Sequence, residues 1–366
     1  MTQLRSRDIV DPASVGIHPG RLQILLERVR EDVEHGPLPS AQVAVAKDGN
    51  VVAFETYGAA TPATRYITQS AGRPLLAACV WKLMSDGLLD VDETVASVIP
   101  EFATNGKDVV TYRQVLTHTG GFPMAPIRYP AMKDRAQRLE AMARWRLSYE
   151  PGTEMRYHLT SAAWVIADTI EARAGMSLAQ YLRTVISEPL GLDLELGVPP
   201  ERQPGTVAPM VPIGEVPDDW VPDPWGPWFF SDPEVLAAGE PSHTICATAL
   251  DTVVLFQAMY HTDLFDPAVI AFATGKVAEM PMAEGHDGSG HAAKGLFVNV
   301  EGPATASPST WGHGGAPSSL TWHDPEVDLS FAFYNNGYPA TGYDIGRSGR
   351  NRSLVISTLA GDILDD

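Results

Sequence analysis

The amino-acid sequence predicts an α+β fold, in which an antiparallel sheet is flanked by helices from both ends of the chain and a mainly helical lobe is inserted. A hairpin signal stands near the start, where two alternating apolar runs flank Asp48-Gly49. A cluster of short strand-like runs lies between residues 295 and 337, and helical periodicity dominates the segment between. We expect the hairpin and the late strands to share one sheet, with a site in the cleft between the two lobes.

The predicted helices follow the spacing of apolar residues. The side chains that share one face in residues 18–36 are Leu22, Leu25, Leu26, Val29 and Val33. The side chains that recur at helical spacing in residues 70–87 are Leu76, Cys79, Val80 and Leu83, and Gly87 is placed to end that helix. Further helices are predicted over residues 111–121, 161–175, 177–191, 247–261 and 350–366.

The late strands are predicted over residues 295–302, 309–315, 318–326 and 328–337. This order of elements divides the chain into two lobes. Residues 1–68 and 275–366 form a discontinuous sheet lobe, and residues 69–274 form the mainly helical lobe.

Composition excludes several classes of partner. The chain has 366 residues and a formal net charge of −19, so nucleic acid and anionic membranes would be repelled. No secretory signal and no run of about 18 apolar residues is visible, and we expect a cytoplasmic protein. Cys79 and Cys246 fall in apolar stretches and are predicted to be buried free thiols.

Residues 216–234 are rich in proline, tryptophan and phenylalanine, which excludes a regular helix or a central strand. Two interpretations stay open: a loop that fills the core, or a loop whose Trp225 and Trp228 line an apolar substrate pocket. No phosphate loop or dinucleotide fingerprint is present, and no cluster has the spacing of metal ligands. We therefore expect no metal and no cofactor.

Four segments, in order, resemble a known superfamily. They are "SAGRPLLAACVWKLMSDGLLDVDETV", "VTYRQVLTHTGGFP", "YEPGTEMRYHLTSAAWVIADTIEARAG" and "WGHGGAPSSLTWHDPE". The chain resembles the serine β-lactamase, penicillin-binding-protein and esterase superfamily, closest to the class C β-lactamase-like esterases and D-aminopeptidases. The resemblance implies a β-lactamase/transpeptidase-like fold and acyl-enzyme chemistry on a serine.

Ser70 stands at the predicted start of a helix, where its backbone N–H is free to donate to an oxyanion. A plain helix cap is the alternative role for this serine. The resemblance places the second oxyanion donor at the N–H of Ala316, after His313-Gly314-Gly315. Pro317 has no N–H and cannot take that role.

The superfamily's first motif is Ser-x-x-Lys, and this chain has Ser70-Ala71-Gly72-Arg73. One helical turn places position 73 beside the serine. Arginine keeps the positive charge, but it cannot accept the serine's proton because its pKa exceeds about 12. Lys82 cannot replace the missing base, since it lies roughly 18 Å along the helix from Ser70.

The second motif is Tyr-x-Asn, and this chain has Tyr157-His158-Leu159. The resemblance implies that Tyr157 is the general base, and a neighbouring guanidinium is expected to lower its pKa. Leu159 removes an amide that would hold a polar group, so an apolar acyl ester is favoured over a β-lactam or peptide. His158 is a further candidate for the substrate site.

These residues predict a serine hydrolase that acts on a small ester or amide. Ser70 is the nucleophile, Tyr157 moves the proton, and Arg73 and His313 tune charge and position. Two alternatives stay open: a biosynthetic acyltransferase on the same scaffold, and a catalytically silent protein that binds a ligand. The sequence leaves the oligomeric state open.

Overall fold

The computed structural model describes residues 7–222, 227–281, 291–340 and 348–365. The helices are α1 Pro19–Glu34, α2 Arg73–Ser85, α3 Val95–Val98, α4 Tyr112–Leu116, α5 Arg135–Arg144, α6 Ser161–Ala174, α7 Leu178–Tyr181, α8 Glu188–Leu190, α9 Pro233–Ala238, α10 Ala249–His261, α11 Pro267–Thr274 and α12 Ser348–Gly361. A π-helical segment, Leu182–Ser187, joins α7 to α8, so the helix predicted over 177–191 is not a regular α-helix.

The strands are β1 Ser40–Lys47, β2 Asn50–Gly58, β3 Arg65–Ile67, β4 Val207–Ala208, β5 Val211–Ile213, β6 Cys246–Ala247, β7 Ala278–Pro281, β8 His291–Lys294, β9 Trp311–Gly315, β10 Ser319–Asp324, β11 Leu329–Asn335 and β12 Gly337–Pro339. Five of them form the main sheet in the order β2-β1-β11-β10-β9, and each neighbouring pair is antiparallel. The predicted pairing of the early hairpin with the late strands is confirmed.

The hairpin turns at Asp48-Gly49, where both residues have positive φ, 51° and 75°. A two-residue turn between right-twisted strands requires this backbone shape, and the Asp-Gly pair adopts it readily. The pairing of β1 with β11 then brings Val43 opposite Phe333. The two ends of the chain are thereby joined at the centre of the sheet.

One predicted strand is wrong. Residues 295–302 form no strand, and only Asn299 makes isolated bridges, to Lys294 of β8 and to Gly312 of β9. The reason is the backbone at Phe297, whose φ of 69° is left-handed and cannot continue an extended chain. The segment instead turns inward and buries Phe297, whose N–H donates to the carbonyl of Leu116 in α4 at 2.8 Å.

The main sheet is covered on both faces. Helices α1 and α12 pack on one face, against Val43, Val45 and Phe331. Helix α10 packs on the other face, where Thr252 hydrogen-bonds the Tyr334 hydroxyl at 2.9 Å. Successive strand residues point to opposite faces, which explains why almost every position of β1 is buried.

Helix α10 belongs by sequence to the predicted helical lobe of residues 69–274, yet it packs on the sheet. The division of the chain into the two predicted lobes stays a prediction. The described contacts place this helix against β1, β2 and β11, with α11 packed beside it.

Helix α2 is buried on all sides from Arg73 to Trp81. A helix that is apolar all round belongs in the interior of a protein. Trp81 packs edge to face on Trp311 of β9, with ring centroids 5.5 Å apart, and its Nε1–H donates to the carbonyl of Leu296 at 3.1 Å. These contacts attach the helix to the edge strand of the sheet.

Cys79 and Cys246 are free and buried, as predicted. None of the helices in the described ranges is both long enough and apolar enough to cross a bilayer.

Candidate active site

Ser70 lies in a 3₁₀ turn, Gln69–Gly72, that directly precedes α2. The backbone N–H groups of Thr68 and Gln69 donate to the carbonyls of Ile245 and His243, both at 3.0 Å. Gln69 has a φ of 52°, a left-handed conformation that non-glycine residues seldom adopt. The turn before the serine is therefore held in an unusual shape by a separate segment of the chain.

The hydroxyl of Ser70 is directed toward Tyr157. The Tyr157 hydroxyl donates to Ser70 Oγ at 3.0 Å, across 87 positions of sequence. The N-cap residues of the 3₁₀ turn and of α2 are Thr68 and Gly72, and neither caps its helix through a side chain. The structure thus brings the two predicted hydroxyls together, while their catalytic roles stay predictions.

Arg73 is fully buried beside this pair. Its Nη2 donates to the carbonyls of His158 and Leu159 at 3.2 and 2.5 Å. The guanidinium carbon lies 4.3 Å from the centre of the Tyr157 ring and 4.7 Å from that of Phe297. The cation is therefore stacked between two aromatic rings, an arrangement that suits the planar guanidinium.

The expected lowering of the Tyr157 pKa is wrong in its net direction. Burial raises the pKa of the Tyr157 phenol above its ordinary value. The Arg73 charge and the hydrogen bonds to Ser70 and Arg73 oppose that rise without reversing it. Desolvation, which the sequence does not reveal, is a larger effect here than the charge of the cation.

Two histidines shape the backbone around Tyr157. The Nδ1–H of His158 donates to the carbonyl of Arg156 at 2.7 Å, and its Nε2 accepts the N–H of Phe122 at 3.2 Å. The Nδ1 of His118 accepts the backbone N–H of His158 at 3.1 Å. Both rings are buried, and backbone groups occupy both nitrogens of His158, so its ring supports Tyr157 and offers no nitrogen to a substrate.

The end of β9 closes the site on the sheet side. A Cβ added to Gly315 would lie 2.7 Å from the Ala71 nitrogen and 3.0 Å from the Thr68 carbonyl oxygen. Thr321 Oγ1 on the neighbouring strand donates to the carbonyl of Ala71 at 2.9 Å. The strand therefore approaches the nucleophile turn as closely as glycine allows. Ala316 follows directly and lines a small cavity with Gln69, and its role as oxyanion donor stays a prediction.

His313 faces the ring of Tyr157, with ring centroids 5.7 Å apart. Its Nδ1–H donates to the carbonyl of Gly314 at 2.6 Å, and its buried Nε2 has no hydrogen-bond partner in the described part of the chain. Burial and the nearby Arg73 charge hold the pKa of His313 well below its usual range. The ring is thus a neutral acceptor beside the reacting pair.

A cleft of about 1100 Å³ opens at Leu159 and Thr160, which follow Tyr157 by two and three positions along the chain. Most of its walls are apolar, and they include Pro123, Met124, Ile127, Leu159, Trp228 and Phe230. Leu159 is 37% exposed, so its side chain faces the open space. Of the two predicted pocket tryptophans, Trp228 lines the cleft and Trp225 lies outside the described residues. Trp228 also packs on Tyr338, so this residue both fills the interior and lines the pocket.

Sequence reasoning missed two residues of the site, Phe297 and Glu240. Phe297 stacks on Arg73 from a distant segment, and Glu240 lines the cleft. Neither stands in a motif, and no local signal identifies them. Within the described ranges, no group of three or more His, Cys, Asp or Glu residues is arranged to hold a metal ion.

Comparisons with known proteins agree with this architecture. The sequence model of the family described as Beta-lactamase matches residues 25–355. An Escherichia coli (strain K12) protein, named provisionally as a D-alanyl-D-alanine carboxypeptidase, is 26% identical and aligns with 89% of this chain and 84% of its own.

Solved structures share the fold over almost the whole chain. A penicillin-binding protein homologue from Caulobacter crescentus has a TM-score of 0.79 at 25% identity, covering 94% of this chain and 98% of its own. EstA from Arthrobacter nitroguajacolicus Rue61a has a TM-score of 0.78 at 21% identity, with the same coverage of each chain. The predicted β-lactamase/transpeptidase-like fold is confirmed.

Proposed function

The chain belongs to the Beta-lactamase family, whose relatives are hydrolases, and from this premise we propose that it cleaves carboxylic esters through an acyl-enzyme on Ser70. The observation that supports the proposal is the 3.0 Å contact between Ser70 Oγ and the Tyr157 hydroxyl, together with an apolar cleft that Leu159 lines two residues beyond Tyr157. A nucleophile and its proton acceptor within hydrogen-bond reach are the minimum that acyl transfer requires.

In the proposed reaction, Ser70 Oγ attacks the ester carbonyl and its proton passes to the Tyr157 phenolate. The Arg73 charge, 4.3 Å from the phenol ring, stabilises that phenolate. The N–H groups of Ser70 and Ala316 hold the oxyanion. Tyr157 then returns the proton to the departing alkoxide, and the same groups activate water to release the acyl group.

Esters are favoured over amides for two reasons. An amide nitrogen must be protonated before it can leave, whereas an ester oxygen can leave as an alkoxide, so an ester demands less of a site that lacks the lysine base. Leu159 also presents an apolar side chain to the cleft where the superfamily motif has an amide. The cleft walls suit an apolar acyl or alcohol group.

A direct test compares the natural chain with Ser70→Ala. The substrates are p-nitrophenyl acetate and butyrate, with a fluorophosphonate as covalent label. We expect turnover and labelling that disappear in Ser70→Ala, and a fall of about 10²- to 10⁴-fold in kcat/KM for Tyr157→Phe. Turnover that persists in Ser70→Ala would exclude Ser70 as nucleophile. Added alcohols or amines would reveal acyl transfer as a new ester or amide product.

A catalytically silent, ligand-binding protein is the second candidate. Arg73 in the position of the motif lysine and the raised pKa of Tyr157 both favour it. It predicts that the natural chain and Ser70→Ala behave alike with both esters and with the fluorophosphonate.

A further inference from the structure

Glu240 is a buried carboxylate on the wall of the cleft. It is 1% exposed and follows α9, separated from it only by Gly239. It lines the same cavity as Leu159 and Thr160, the residues that come directly after the Tyr157-His158 pair. A carboxylate so placed in a largely apolar wall is costly unless a positive group meets it.

The direct partners of Glu240 are neutral. One carboxylate oxygen accepts the backbone N–H and the hydroxyl of Ser242, at 3.2 and 2.6 Å. The other oxygen accepts the Nδ1–H of His243 at 3.1 Å. His243 stacks on Phe230 with centroids 3.9 Å apart, and burial lowers its pKa, so the ring is uncharged at neutral pH. Among the described residues, no lysine or arginine forms an ion pair with Glu240.

Glu240 belongs to the segment that holds the nucleophile turn. The carbonyl of His243, three residues along, accepts the N–H of Gln69 at 3.0 Å, and Gln69 precedes the nucleophile. Burial lowers the pKa of Arg73 and raises that of Tyr157, and the nearby Glu240 carboxylate is a smaller influence that favours the higher pKa in both. Arg73 itself donates to the carbonyls of His158 and Leu159 and stacks on Tyr157, so it makes no direct contact that neutralises Glu240.

We propose that Glu240 binds an ammonium group of the substrate, so that the preferred substrate is an ester with a primary amine near the carbonyl that is cleaved. This inference rests on the proposed esterase function and specifies its substrate class. Ser242 and His243, which donate to the carboxylate, are both neutral, so a substrate cation would be its first direct ionic partner among the described residues. The net charge of −19 also favours the approach of cationic substrates over anionic ones.

The test uses two esters that differ only in an amine: p-nitrophenyl butyrate and p-nitrophenyl 2-aminobutyrate, in both enantiomers, at pH 6.5. We expect the natural chain to have a kcat/KM at least about tenfold higher for one amino ester, mainly through a lower KM. In Glu240→Gln this ratio between the two esters should fall by about the same factor. Glu240→Asp should recover part of it.

Glu234→Gln is the matched control. Glu234 stands on the rim of the same cleft, where Tyr129 and Lys133 contact its exposed carboxylate. The ratio between the two esters should be the same in Glu234→Gln as in the natural chain. A ratio that Glu240→Gln leaves intact, or a natural chain with no preference for the amine, would overturn the inference.

A second measurement needs neither a folded variant nor ester turnover. Calorimetric titration of the natural chain should give n-butylammonium a Kd about tenfold lower than that of n-butanol. Equal dissociation constants would overturn the inference even if the esterase function held. If the natural chain showed no Ser70-dependent turnover but still bound n-butylammonium more tightly than n-butanol, the proposed function alone would be overturned.

Discussion

Arg73 sits one helical turn beyond the nucleophile and is the buried cation of the site. Arg73→Met keeps most of the side-chain volume and removes the charge. Because that charge opposes the burial-driven rise in the pKa of Tyr157, its loss should leave less phenolate. We expect kcat/KM for p-nitrophenyl acetate to fall by about 100-fold, which corresponds to ~2.7 kcal/mol of transition-state stabilisation.

Arg73→Lys is the companion variant, since it keeps the charge and adds a group that can lose its proton. Its kcat/KM should stay within about tenfold of the natural value or exceed it. Thermal unfolding of both variants controls for damage to the fold. Equal activity in Arg73→Met and the natural chain would show that the charge takes no part in the reaction.

The proposed role of Tyr157 as the base predicts how kcat/KM depends on pH. The active form of a base is the deprotonated one, and burial raises the pKa of this phenol above its ordinary value. At pH 7 the phenolate is therefore a minority, and each added pH unit multiplies it about tenfold. We expect log kcat/KM, corrected with Ser70→Ala, to rise with a slope of about 1 from pH 7 to the alkaline limit of stability.

If His313 were the base instead, kcat/KM would not rise with pH above pH 7. The pKa of His313 lies well below the usual range, so its ring is already neutral there. A profile that is flat from pH 7 upward would move the role of base from Tyr157 to His313. Its free Nε2 and its position against the Tyr157 ring make it the alternative acceptor.

Strand β9 meets the nucleophile turn at Gly315. Gly315→Ala would place a Cβ 2.7 Å from the Ala71 nitrogen and 2.9 Å from the Ala71 Cβ, where backbone has to move. We expect a loss of about 1–3 kcal/mol in the free energy of unfolding, together with a fall in kcat as Ser70 shifts. Urea denaturation and ester turnover measure the two effects.

Gly314→Ala is the control on the same strand, because its added Cβ meets only Leu320 Cδ1, at 3.9 Å. Its free energy of unfolding should change by less than about 0.5 kcal/mol. Similar losses in both variants would mean that the close approach of β9 is not what holds the nucleophile turn.

The molecule as a whole buries a set of neutral histidines, His118, His243, His313 and His323. Burial lowers the pKa of each, to about 3 for His323. In the unfolded chain these rings take up protons near pH 6.5, while in the folded chain they do not. Their contribution to stability is therefore complete above pH 6.5 and is lost as the pH falls below it.

We expect the free energy of unfolding in urea to fall by at least about 2 kcal/mol between pH 7 and pH 5. His323→Gln, at a fully buried position, should reduce this dependence, and His35→Gln, at an exposed position, should leave it unchanged. A stability that is constant between the two pH values would contradict the prediction.

Much of the fold was predictable because its signals are local. The Asp48-Gly49 turn fits between its two strands, and the apolar stripe of α1 packs on the sheet. The strand predicted over residues 295–302 does not form, because the backbone of Phe297 is left-handed. That conformation depends on contacts with residues distant in the sequence. Periodicity cannot report such contacts, because it counts only neighbours along the chain.

The candidate site, too, was predictable only in part. The sequence by itself determined the family-like motifs, the arginine in place of a lysine one turn after Ser70, and the leucine at the end of the second motif. Only the tertiary structure decided that Tyr157 reaches Ser70, that Phe297 covers Arg73 and that Glu240 faces the cleft. It also decided that desolvation outweighs the cation in the pKa of Tyr157, because burial depends on every segment that packs around a group.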